Sequence, residues 1–480
     1  MRRPPLRILL LSSVIAFAAA AGAIAQPFDL VLANGRVMDP ESGLDAVRHV
    51  GVSGGRIVEL STAPLVGREN IDARGLVVAP GFIDLHQHSL DAASLRLKAL
   101  DGVTSALELE VGAADVDRWY AAREGRTPIH VGVSVGHIQV RMAVMGDAPA
   151  FLPGAKSGAA VRAAAPDQIA EIRRGLERGL QRGALGVGFG VAYTPVAGSA
   201  EILDMFRVAA QSGAPCFVHL RYSGTAEPGS ALQGLTEVVA LALVSGAPLH
   251  VLHIQSSGAR STPQLLEMIV AARSRGLDIT TECYPYTAGM SEIRAATFEP
   301  EALARRGIAF ADLQWGATGE RLTAETFAKY RQQGGLVIIH SNTEEIVRAA
   351  VAHPLAMIAS DGLTGHPRNA GTYARILGRY VREAKAITLM EALRKCTLLP
   401  AQRLEKFTPM LKSKGRLRPG ADADLVVFDP ERVADQATFE QAALPSTGIA
   451  HVLVGGVAVV RDGKFQEGVW PGKPVRGPVP

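Results

Sequence analysis

Residues 77–88 read VVAPGFIDLHQH, a short apolar run that closes on two histidines at alternate positions. Successive side chains of a strand point to opposite faces, so His86 and His88 share one face at the strand's carboxyl end. The same design returns downstream. APCFVHL (214–220) carries His219 near its end, APLHVLHI (247–254) carries His253, and LAMIASD (355–361) finishes on Asp361. VTSALELE (103–110), IHVGVSVG (129–136), ALGVGFG (184–190) and LDITTECYPY (277–286) are further strand-like runs. Helical stretches lie between them. PDQIAEIRRGLERGLQRG (166–183) has Pro166 at its start and Gly183 as its stop, and SAEILDMFRVAAQSG (199–213) follows. Eight apolar strands alternating with helices predict an α/β fold, a (β/α)8 TIM-like barrel spanning residues 79–405.

The chain ends read differently. FDLVLANGRVMD (28–39) places an Asn34-Gly35 turn between two apolar runs, and HVGVSGGRIVEL (49–60) repeats the pattern around Gly54-Gly55. ADLVVFDP (423–430) and HVLVGGVAVVRDGKF (451–465) do the same near the other end. A small β-sandwich domain built from residues 26–78 and 406–480 is expected. Residues 289–336 interrupt the barrel rhythm after the seventh strand; they hold Trp315 and a strongly charged helix, ERLTAETFAKYRQQGG (320–335). An insertion there sits over the barrel mouth, either as a lid or as a scaffold excursion.

Residues 1–25 form a basic start, an apolar run from Ile8 to Ala21 and an Ala23-Ile24-Ala25 pattern, the layout of a cleaved signal peptide. The apolar run is shorter than the ~20 residues of a spanning helix. Export to a bacterial periplasm or beyond is the expectation, with no membrane attachment after cleavage. The whole chain of 480 residues has 48% hydrophobic and 20% charged residues and a net charge of +4, of which the leader's Arg2, Arg3 and Arg7 supply three. Such a balance allows a large core and gives no nucleic-acid footprint. Three cysteines, Cys216, Cys283 and Cys396, exclude a disulfide scaffold, and no C-x-x-C exists for a zinc finger or redox motif. No serine stands at a strand-to-helix G-x-S-x-G elbow, and no P-loop signature is present.

In a barrel the strand carboxyl ends face the active site. His86, His88, His219, His253 and Asp361 all stand at such ends, and their chemistry is that of a metal site. These residues, with VVAPGFIDLHQH, FVHLRYSG (217–224), VLHIQSSG (251–258), ECYPYTAG (282–289), IASDGLTGHPR (358–368), GHIQVRMAVMG (136–146) and RLRPGADADLVVFDP (416–430), resemble the amidohydrolase superfamily. Within it the chain is similar to the D-aminoacylase (N-acyl-D-amino-acid deacylase) group over about residues 30–465. The resemblance implies zinc, one or two ions per chain: His86 and His88 on the more buried ion, His219 and His253 on the second. Asp361 would coordinate and shuttle the proton. Spacing alone also admits Mn, Co or Ni.

The chain departs from the group at the bridging ligand. Where the group has a cysteine at the end of strand two, GVTSALELEVG (102–112) offers Val111, and ALGVGFG has no lysine to carboxylate. Glu110 is the economical replacement, and Glu108, deeper in the strand, is the alternative. On the substrate side the resemblance assigns the free carboxylate to Arg368. Tyr284 would donate to the scissile carbonyl, with Tyr286 competing for that role. Gln255 stands where the group often has a carboxylate-binding lysine, and Arg221-Tyr222-Ser223-Gly224 replaces its usual Arg-Asp-Glu-Gly. His137 and Arg141 are group-typical, with lining or structural roles both open. His340 is expected inside an apolar strand, and Cys216 and Cys283 as packing thiols. The implied activity is metal-dependent hydrolysis of a C–N amide bond, deacylation of N-acyl-(D-)amino acids. A dipeptidase-like or other small-amide hydrolase is the alternative, and a non-catalytic exported binding protein a third class.

Overall fold

The computed structural model describes residues 27–479 together with Met1; the expected leader, apart from Met1, lies outside the described residues. Eight parallel strands form the central sheet: β1 (Phe82–Asp84), β2 (Val103–Ala113), β3 (His130–Gly136), β4 (Val187–Gly190), β5 (Cys216–His219), β6 (Leu249–Val251), β7 (Ile279–Cys283) and β8 (Ala356–Ile358). Each is one of the apolar runs named above. They are buried on both faces because helices cover the outside and side chains fill the inside, which is why they read as continuous hydrophobic stretches. The sheet runs in chain order from β1 to β8, and a parallel bridge between Gln87 and Gly362 joins its two edges at the carboxyl end. The result is a (β/α)8 barrel.

A buried carboxylate secures that closure. Asp84 accepts from the Ser360 backbone N–H at 2.9 Å, the Ser360 hydroxyl at 2.6 Å and the Lys98 ammonium at 3.0 Å. The first and last strands are thereby locked in register just below His86 and Asp361.

Both chain ends meet in a second, nine-stranded sheet, where Leu425–Phe428 pairs antiparallel with Val77–Pro80 and Val77–Pro80 pairs parallel with Phe28–Asp39. It encloses its own apolar core, including Leu32, Val50, Ile57, Leu425 and Leu453. After β7 the chain leaves the barrel for a three-stranded antiparallel sheet, Ala288–Glu292, Leu313–Trp315 and Leu336–His340, with helices Pro300–Arg306 and Ala324–Gln333. Trp315 stacks on Tyr330 with ring centroids 4.1 Å apart. The core of this insertion continues into Val111 at the end of β2 and Tyr193 after β4, so it covers the barrel mouth. Among the described residues no helix is long and apolar enough to cross a membrane. All three cysteines are free and buried.

Candidate metal centre

The strand ends converge on Glu110. Its carboxylate lies 2.7 Å from His86 Nε2, 3.7 Å from His88 Nε2, 3.0 Å from His219 Nδ1 and 3.6 Å from His253 Nε2. Asp361 Oδ1 is 3.2 Å from His88 Nε2 and 3.6 Å from His86 Nε2. Two ligand groups result, His86/His88/Glu110/Asp361 and Glu110/His219/His253, with Glu110 in both. Zinc–nitrogen bonds of ~2.0–2.1 Å in a tetrahedral site put neighbouring ligand atoms about 3.3 Å apart. The observed spacings straddle that value, including the 3.0 Å between His253 Nε2 and His219 Nδ1. Imidazole nitrogens aimed at one another this closely fit a shared cation.

Local backbone shape explains why Glu110 and not Glu108 reaches the lumen. The β2–β3 register jumps from Glu108↔Val133 to Ala113↔Val135, a bulge that re-aims the intervening side chains. Gly112 makes the bulge possible: its φ is +63°, and a Cβ there would lie 2.6 Å from the Gly136 nitrogen. Glu108 then turns back. One oxygen accepts from the backbone N–H groups of Glu110 and Val111 at 3.2 and 3.0 Å, and the other lies 2.6 Å from His88 Nδ1.

His86 has a matching carboxylate that sequence reasoning missed. Glu282 Oε1, at the end of β7, sits 2.6 Å from His86 Nδ1, and Oε2 sits 3.2 Å from His250 Nε2. His250 is held in turn by Thr280, 2.7 Å away. Carboxylates on the outer nitrogens fix each imidazole's tautomer and leave Nε2 to face the ion. The signal available was a lone charged residue in the fully buried strand ITTEC.

The site is strongly acidic in its electrostatics. Burial disfavours a charged His88, but Glu108 and Asp361 outweigh it and raise the imidazole to about 9. Burial likewise opposes ionised Glu282, yet His86 and His250 hold it down at about 2. Glu110 is held well below the usual carboxylate range by His219, His253 and His86 despite its burial. His253 and Asp361 carry left-handed backbone angles, φ +29° and +52°, the local strain that functional sites store.

The substrate-side expectations fare differently. Arg368 is fully buried; its guanidinium lies 2.8 Å from Asp361 Oδ2 and 4.7 Å from the Tyr284 ring centroid. Its Nε and Nη1 make no hydrogen bond. Gln255 is also buried and donates to the Tyr284 carbonyl at 3.0 Å, away from the cavity. The Tyr284 hydroxyl makes no hydrogen bond of normal geometry, with the Ser256 side chain beside it. It lies 3.1 Å from where a Cβ on Gly289 would stand, and Gly289 is part of the cavity wall. Burial raises the phenol above its ordinary value, so it remains a donor. Tyr286 faces elsewhere, toward Pro367 and Arg375. His137 and Arg141 both pair with buried Glu201, and His340 bonds Gln314 within the insertion, 2.8 Å away.

One cavity of about 1150 Å³ opens above the cluster, lined by His88, Glu110, His219, His253 and Asp361 at its floor. Phe151, Leu152 and Val111 form an apolar wall, and Ser223, Tyr222, Arg305 and Arg306 lie toward the insertion.

A sequence profile described as the amidohydrolase family matches residues 69–132 and 136–460. N-acyl-D-glutamate deacylase of Alcaligenes xylosoxydans xylosoxydans is 33% identical, over 90% of this chain and 94% of that protein. D-aminoacylase of the same organism is 30% identical, over 92% of this chain and 96% of that protein. The crystal structure of N-acyl-D-glutamate deacylase from Bordetella bronchiseptica, complexed with zinc and a phosphonate inhibitor mimicking the tetrahedral intermediate, superposes with a TM-score of 0.80. It shares 29% identity and is matched over 94% of this chain and 100% of that one.

Proposed function

Because this chain belongs to the amidohydrolase family, and within it to the D-aminoacylase group, we propose that it removes the acyl group from N-acyl-D-amino acids. It is a metal-dependent hydrolase of amide bonds, taking one or two zinc ions and a small-molecule substrate. The observation that carries the finer reading is the pair of ligand groups sharing Glu110 on the floor of a single cavity.

In this reading His86, His88 and Asp361 would hold one zinc ion and His219 and His253 a second, with Glu110, common to both ligand groups, serving both. Bound zinc supplies Lewis acidity to water and to the scissile carbonyl. Asp361 takes the proton of the attacking water and delivers it to the departing nitrogen. Arg368 keeps Asp361 ionised and oriented for that task. Tyr284, kept protonated by burial, donates to the carbonyl oxygen as negative charge builds there. Glu282 and Glu108 orient His86 and His88 through their outer nitrogens.

The test is turnover by zinc-loaded protein on a panel of N-acyl-D-amino acids, their L-enantiomers and dipeptides. Preference for the N-acyl-D compounds is expected; hydrolysis of dipeptides alone would replace the reading with a dipeptidase. We also infer export through residues 1–25, supported by their basic start, apolar run and Ala23-Ile24-Ala25. Mass spectrometry of the mature amino terminus checks it, Gln26 being the expected first residue.

A further inference from the structure

The two carboxylates that brace His86 and His88 are themselves held in different ways. Glu108 receives backbone N–H groups on the oxygen that does not face His88. Glu282 has no such support: among the described residues its side chain meets only His86, on Oε1, and His250, on Oε2. His250 is fully buried within the barrel, its ring centroid 5.6 Å from that of Phe217. It does not line the cavity and belongs to neither ligand group. Burying an imidazole among apolar side chains is costly unless its nitrogens find partners. Both do: Nδ1 lies 2.7 Å from the Thr280 hydroxyl and Nε2 lies 3.2 Å from Glu282. The strands dictate this. In the parallel β6–β7 pair His250 stands opposite Thr280, and Glu282, two residues on, shares Thr280's face.

We propose that His250 is a positioning residue for the reaction: it holds the Glu282 carboxylate in the orientation that braces His86, and so acts on the zinc site from two hydrogen bonds away. The donors form one chain. The Thr280 hydroxyl donates to His250 Nδ1, and His250 Nε2–H donates to Glu282 Oε2. His86 Nδ1–H donates to Glu282 Oε1, which leaves His86 Nε2 bare for the ion. The pattern needs a neutral His250 with its proton on Nε2, and burial lowers its pKa in support of that state. Without His250, a buried carboxylate oxygen loses its one donor and turns to seek another, taking the brace with it. This assignment rests on the zinc role given to His86 above.

Asparagine and glutamine separate the two ring nitrogens, since an Asn amide reaches about as far as Nδ1 and a Gln amide about as far as Nε2. Zinc affinity is measured by chelator competition on wild type, His250→Gln, His250→Asn, Glu282→Gln and the double variant His250→Asn/Glu282→Gln. His250→Gln keeps a donor to Glu282 and stays near wild type. His250→Asn loses that donor and binds zinc ~10-fold more weakly, the low end for a partner that orients a ligand histidine, with kcat lowered and KM little changed. The double variant is no weaker than Glu282→Gln, because His250 acts only through that carboxylate. Circular dichroism verifies that each variant is folded. Unchanged zinc affinity in folded His250→Asn, equal losses in His250→Asn and His250→Gln, or losses that add to those of Glu282→Gln make His250 a packing residue and overturn the proposal. Nitrogen-15 NMR of labelled histidines in the zinc-loaded wild type reads the tautomer with no substitution at all: a His250 proton on Nε2 is expected, and one on Nδ1 breaks the chain. A folded His86→Ala that keeps the full zinc affinity defeats the zinc role of His86 itself, and this assignment with it.

Discussion

Arg368→Met removes the guanidinium that lies 2.8 Å from Asp361 and leaves similar volume behind. At an effective dielectric of ~20 that contact represents about 6 kcal/mol of gross attraction. Stranding one partner of a buried pair has a net cost of ~3–5 kcal/mol. One pKa unit corresponds to ~1.36 kcal/mol, so the lower figure moves the Asp361 carboxyl up by about two units. In the wild type burial pushes that carboxyl up, while Arg368 and then His86 outweigh burial and hold it far below its ordinary 3.8. A carboxyl held low stabilises the fold above its unfolded value and loses that contribution as pH falls toward its folded value. The wild type's advantage over the variant is therefore full at neutral pH and shrinks in acid below about 4. Thermal unfolding against pH reads the first effect, and the pH profiles of kcat and KM read the second. Arg368→Met is expected to lose stability at neutral pH, converge with wild type in acid, and show the acid limb of kcat displaced upward by about two pH units. KM should change less than kcat. An unmoved acid limb with the whole effect in KM would mean that Arg368 holds substrate, and the ion-pair argument would be wrong.

Other outcomes follow from the same geometry. Glu110→Gln keeps the shape but removes the charge shared by both ligand groups, so metal analysis should show the weaker ion lost first; Glu108→Gln should cost activity with less metal loss. Asp361→Asn should leave the fold intact and lower kcat by at least ~100-fold, the low end for a general acid–base group. Near wild-type kcat would remove Asp361 from proton transfer. Glu282→Gln should weaken zinc binding in chelator competition by ~10- to 100-fold, the range for a carboxylate orienting a ligand histidine. Because Glu282 is held down at about 2, its stabilisation is present above 4.5 and lost between 4.5 and 2 as pH falls. Glu282→Gln should therefore flatten the acid side of the apoprotein's stability curve, and an unchanged curve would separate Glu282 from His86.

The barrel was legible because its physics is local. Strands buried on both faces must be apolar throughout, so all eight could be found as runs such as APCFVHL and LAMIASD. The paired chain ends were legible in part: Gly455-Gly456 sits at a turn, with φ of +54° and +79°, whereas Asn34, φ +61°, lies at a bulge inside the single strand Phe28–Asp39 and the hairpin expected at Asn34-Gly35 does not form. The insertion was visible only as a break in rhythm. Its small antiparallel sheet depends on Leu336–His340 pairing back to Ala288–Glu292 across a long connection, which no local period records.

The candidate site divides along the same line. Histidines at alternate positions and an aspartate at a strand end follow from single segments, and the structure brings all of them to one point. The partners that set their behaviour come from elsewhere in the chain. Glu282 meets His86 across 196 positions because β7 and β1 both border β8 or its closing bridge. Strand alternation put Glu108 and Glu110 on one face as near equivalents, and only the bulge at Gly112 separates a lumen-facing carboxylate from one that braces His88. Arg368 adds a partner that no local pattern records: its motif points to substrate, and in the closed barrel it also lies 2.8 Å from Asp361 Oδ2. A cation's neighbours, and not its motif, decide how much of it is free to bind an anion, and the Arg368 guanidinium, with Nε and Nη1 making no hydrogen bond, lies against Asp361 and the Tyr284 ring together.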